Sequence, residues 1–97
     1  MAAVCKFSFP YGPNKVDLES QLALAIISAE SAYGSARVRI NASYYLSKEK
    51  PEVVIDVSSD VGEHIAQVFT GLMIRNLGEN NFRVRRLEKH AEVISSE

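Results

Sequence analysis

The chain has 97 residues, 46% hydrophobic and 24% charged, with 11 Lys plus Arg against 12 Asp plus Glu and a formal charge of -1. That leaves room for one modest core and no second domain, in a composition that is globular rather than disordered or fibrous. The near-neutral balance argues against a dedicated nucleic-acid binder, the lone Cys5 excludes an intramolecular disulfide, and no run reaches the roughly 18 apolar residues of a membrane span.

A domain this small buries only about 60–65% of the surface its unfolded chain exposes, so a partner subunit is a ready source of further burial. The opening MAAVCKFSFPYG has no long apolar stretch and reads as mature structure rather than a signal peptide. With the single cysteine, this makes a cytoplasmic setting the expectation. On that basis the Asn41-Ala42-Ser43 glycosylation pattern is a chance match.

Residues 3–9 alternate, with Ala3, Cys5, Phe7 and Phe9 on one side and Val4, Lys6 and Ser8 on the other, which is a strand with one buried face. Pro10-Tyr11-Gly12-Pro13 ends it, because proline donates no ladder bond and glycine permits a turn. Asn14 is the expected cap of a helix beginning at Lys15. Leu18, Leu22, Ala25, Ile26, Ala29 and Tyr33 then recur at three and four, and Gly34 is placed to end the helix.

Residues 36–46 alternate again and predict a strand. Ala36, Val38, Ile40, Ala42, Tyr44 and Leu46 form one face, and Arg37, Arg39, Asn41, Ser43 and Tyr45 the other. Ser47 to Pro51 is a polar hairpin connection, and residues 52–58 a strand with Val53, Ile55 and Val57 inward and Val54 and Asp56 outward. Ser59 or Asp60 caps a second helix, with Asp60 and Glu63 spaced as a capping box. Its apolar face runs from Val61 through Ile65, Phe69 and Met73 to Leu77, and Gly78 ends it. Residues 82–87 predict a last short strand, and 88–97 a partly flexible polar tail of the same single domain, 1–97.

The order strand, helix, strand, strand, helix, strand predicts an α+β, ferredoxin-like β-α-β-β-α-β sandwich. It is a four-stranded antiparallel sheet with two helices on one face. The first and third strands are expected in the centre, and the other sheet face lies open.

That open face is the candidate binding surface. On this phasing it carries Lys6, Arg37, Arg39, Arg83 and Arg85, with Tyr45 alongside and Asp56 near the centre. Arg37 and Arg39 on one edge strand, and Arg83 and Arg85 on the other, make two basic rims suited to phosphates or an acidic protein surface. Val4, Val54 and Leu87 supply an apolar middle, giving the hydrophobic centre and polar rim of an interface. Tyr45, which joins apolar area to a polar handle, is the preferred contact residue. The alternative role of such charges is to keep exposed edges from pairing.

The leading expectation is a non-enzymatic protein-protein interaction or oligomerisation module, a homodimer or a complex with another protein. Weak single-stranded nucleic-acid binding through the same cations is the runner-up. Modules that read RNA on such a sheet present stacking aromatics on the central strands, whereas Val54 and the anionic Asp56 are outward here. A third reading is a ligand-binding or catalytic domain whose pocket forms between subunits, with Asp56 as its charged group. Otherwise Asp56 is expected to pair with Arg37 or Arg39 across the strands. No metal is assigned, because His64, His90 and Cys5 lack the spacing of a zinc site, and no catalytic residue or cofactor, because no nucleophile and base stand at a telling spacing. His64 is read as a surface ion-pair partner of Asp60, and Cys5 as a small buried hydrophobe.

Overall fold

The computed structural model describes residues 3–12, 17–47 and 49–88. The elements are β1 (Ala3–Ser8), α1 (Leu18–Tyr33), α2 (Ser35–Asn41), β2 (Tyr44–Ser47), β3 (Glu52–Asp56), α3 (Asp60–Leu77), a 3-10 turn (Glu79–Asn81) and β4 (Arg83–Glu88). Among the described residues the fold is α+β, one antiparallel four-stranded sheet in the order β2-β3-β1-β4 with three helices rather than the two expected.

The strict alternation of residues 3–9 sets the phase of the sheet. Phe7 and Phe9 are buried toward the helices, and Phe7 meets Phe69 of α3 edge to face at 4.9 Å between ring centroids. Val53 and Ile55 of β3 and Val61, Ile65 and Met73 of α3 complete this layer with no residual exposure. Burying each side chain of that size contributes about 1.5–3 kcal/mol, so the helix-sheet seam contributes substantially to stability. Phe82 closes one end of the core by stacking on Phe9.

The main departure from the sequence reading lies at residues 35–43. The predicted long strand 36–46 is instead α2 followed by the four-residue β2. Ala-Arg-Val-Arg-Ile alternates with period two, but a one-anchor helix of seven residues shows the same pattern. Val38 is the buried anchor, while Ile40, expected beside it on the core face, is 81% exposed. Tertiary contacts decide between the two forms. Gly34 (φ 89) turns the chain sharply out of α1, Arg37 reaches Asp60 of α3, and Ser59 Oγ donates to the Asn41 carbonyl. Arg37, Arg39 and Asn41 are therefore helical, and Ser43 lies before β2.

The caps also differ. Asp17 caps α1 by accepting from the backbone N–H groups of Glu19 and Ser20, so the described helix starts at Leu18. The proposed Asn14 cap lies outside the described residues. Ser59 alone caps α3, accepting from the N–H of Gly62, so Glu63 completes no capping box. Glu88 belongs to β4, and the rest of the proposed tail, 89–97, lies outside the described residues. No described helix is long and apolar enough to cross a membrane.

Candidate binding surfaces on the sheet and its edge

The strand register fixes which side chains share the open face. Across the sheet from β4 to β2, Leu87 neighbours Val4 and Asp56; Arg85 neighbours Lys6, Val54 and Tyr45; Arg83 neighbours Ser8, Glu52 and Ser47. An apolar diagonal, Leu87-Val4-Val54-Tyr45, crosses this grid from edge to edge. Val4 and Val54 are half-buried, whereas Tyr45 stands 63% exposed.

Charge on this face is polarised. Arg83 and Arg85 make β4 basic, and Glu52 and Asp56 make β3 acidic. Lys6 lies between them and pairs with Glu52 at 3.4 Å. Of the expected site residues, the structure brings together Val4, Lys6, Val54, Asp56, Tyr45, Arg83, Arg85 and Leu87. It leaves out Arg37 and Arg39, so there is one basic rim rather than two. Sequence reasoning passed over Glu52, although the parity that turns Val54 and Asp56 outward turns Glu52 outward as well.

Asp56 has a local partner rather than a cross-strand arginine. Its carboxylate accepts from the backbone N–H and hydroxyl of Ser58, the local turn by which Asp organises the chain ahead of a helix. Arg37 instead bonds Asp60 at 3.4 Å and lies over the Tyr33 ring at 5.0 Å. Both ends of the Arg37-Asp60 pair are solvent-exposed, which limits it to a fraction of a kcal/mol, about 0.2–1.

That pairing occupies the carboxylate proposed for His64. Nε2 of His64 shares a 3.0 Å hydrogen bond with Ser28 Oγ of α1, and its ring meets Tyr33 edge to face at 5.6 Å. The serine-histidine contact ties α1 to α3 beneath the Arg37-Tyr33 stack. Cys5 faces the helix side and is half-buried. Burial pushes its thiol up, opposed by the positive charge of Arg86 and reinforced by Glu63. Arg86 reaches Glu88 at 3.2 Å and Glu63 at 3.3 Å, and these bonds, that to Glu88 foremost, raise its own pKa.

Where α1 passes the edge strand β2, two depressions share Ile26 and Tyr44. One, of about 330 Å³, is lined by Val38, Ala42, Glu30 and Arg39, and the other, of about 320 Å³, by Leu22, Ala23, Leu46 and Glu19. Together they form a groove along the side of β2 that pairs with no other strand among the described residues. None of the sequence readings singled it out, because α1 and β2 meet only in the folded chain.

No protein-family profile, curated protein or solved structure matches this chain.

Proposed function

We propose that this protein is a small non-enzymatic self-association module whose open sheet face packs against a second copy. One observation carries the reading: the apolar diagonal from Leu87 to Tyr45 crosses a face whose β4 is basic and whose β3 is acidic. A face divided in this way is complementary to itself. Turned over about a two-fold axis along the strands, β4 lies above the partner's β2 and β1 above the partner's β3. Arg85 then meets the partner's Tyr45, Arg83 approaches the partner's Glu52 and Lys6 the partner's Asp56. Turned about the perpendicular axis, Asp56 would meet the partner's Glu52, a like-charge contact that selects against that arrangement.

The ferredoxin-like arrangement is part of the same proposal. Its support is the strand order β2-β3-β1-β4 with α1 and α3 on one face, and α2 is an addition to that pattern. Single-stranded nucleic acid has less support. Arg37 and Arg39 lie off the face, Lys6 is paired, and Glu52 and Asp56 would repel phosphate at its centre. The test is the solution mass of the wild type and of Val54→Asp, which sets an anion in the apolar diagonal beside Lys6, so that the fold is kept while the interface is lost.

A further inference from the structure

We infer that β2 is a second site of self-association, pairing edge to edge with β2 of another copy so that two sheets become one. The inference goes beyond the open-face reading and does not depend on it. The two edges of the sheet differ in charge.

β4 carries Arg83, Arg85, Arg86 and Glu88 in six residues. Antiparallel pairing of β4 with its own copy, helices on the same side and most of the strand in use, centres on Arg85 or Arg86. Either register sets an arginine opposite itself, the protection that exposed edges ordinarily carry. β2, Tyr-Tyr-Leu-Ser, has neither charge nor proline. Its tyrosines are 49% and 63% exposed, on an edge that no other described strand covers.

The backbone fixes how a copy would dock. The Asp56 N–H donates to the Ser43 carbonyl, so Ser43 and Tyr45 direct their backbone groups to β3 while Tyr44 and Leu46 direct theirs outward. A two-fold axis through Tyr45 places Tyr44 opposite the partner's Leu46. Their outward N–H and C=O groups then satisfy each other, and symmetry repeats the exchange. Parity is kept, so all helices stay on one side.

The side chains agree with that register. Tyr44 and Leu46 lie on the helix side, where the partner's Leu46 meets the groove lined by Ile26 and Tyr44. Tyr45 meets the partner's Tyr45 on the open face, in the closer, non-hydrogen-bonded pair position. At each end Arg39, which has no ion-pair partner among the described residues, approaches the partner's Glu19. This complementarity identifies the occupant of the groove as a second copy of the chain.

Two variants and a cross-link test the inference. Tyr44→Pro removes an outward N–H without taking a bond from the β2-β3 ladder, whereas Val54→Asp disturbs the open face alone. Light scattering should find that Tyr44→Pro halves the wild-type mass and that Val54→Asp leaves an edge-paired dimer. In a Cys5→Ser background, Tyr45→Cys should form an intermolecular disulfide on oxidation with diamide. The expected Cα separation of about 4.5 Å falls inside the disulfide range of about 4.4–6.8 Å. Arg85→Cys on β4 should stay largely uncoupled under the same conditions. A mass unmoved by Tyr44→Pro, or cross-linking at position 45 no greater than at position 85, overturns the inference. If Val54→Asp alone yields monomer, the edge pairing falls and the open-face reading stands.

Discussion

The backbone carbonyl of Asp56 occupies the space that a β-carbon on Gly62 would need: an ideal Cβ at position 62 would lie 1.8 Å from that oxygen. The first turn of α3 thus rests directly on the end of β3, where Asp56 also enters the open face. Gly62→Ala gains about 1 kcal/mol of helix propensity but must push backbone from backbone. We expect net destabilisation of about 2 kcal/mol or more by urea denaturation. Unchanged stability would mean that α3 does not seat on β3 in this way.

The helix α2 is tested by two neighbours with opposite exposure. Val38→Ala should cost about 2 kcal/mol, because it opens space in the core, while Ile40→Lys should stay within about 0.5 kcal/mol of wild type. A strand through residues 36–46 would bury both side chains, and both substitutions would then be costly. Thermal denaturation of the pair distinguishes the two structures.

The Ser28-His64 contact should behave as a structural tie between α1 and α3. A double-mutant cycle on Ser28→Ala and His64→Ala should give a coupling of about 0.5–1.5 kcal/mol, the usual net worth of a hydrogen bond. Coupling near zero would remove the tie.

Cys5 provides a pH-dependent probe of the helix side of the sheet. Burial disfavours the thiolate, so the rate of alkylation by iodoacetamide should rise with pH through an inflection above the ordinary thiol value of about 8.5. Arg86 lowers that inflection and Glu63 raises it. Arg86→Gln removes the favourable charge and leaves the carboxylate, so the inflection should move higher still. A downward move would contradict the assigned causes.

Legibility from sequence followed the range of the forces involved. The phase of β1 could be read because Phe7 and Phe9 repeat with period two over a run long enough to exclude a helix. The same pattern misled at Arg37-Val38-Arg39, where contacts with Asp60 and Ser59, remote in sequence, chose the helix. Most of the open face was recovered because strand parity carries over from residue to residue. The groove beside β2 was not, since Ile26 and Tyr44 are brought together only by packing α1 against the sheet edge. His64 was assigned to Asp60 by helical spacing, yet Ser28, 36 residues away, is its partner in the fold.

The central claim is that the open sheet face holds two copies together, and solution mass tests it most directly. Multi-angle light scattering over a dilution series should show a multimer for the wild type and about half that mass for Val54→Asp, with unchanged circular dichroism. A wild type that is monomeric at every concentration, or a mass that Val54→Asp leaves unaltered, would contradict it.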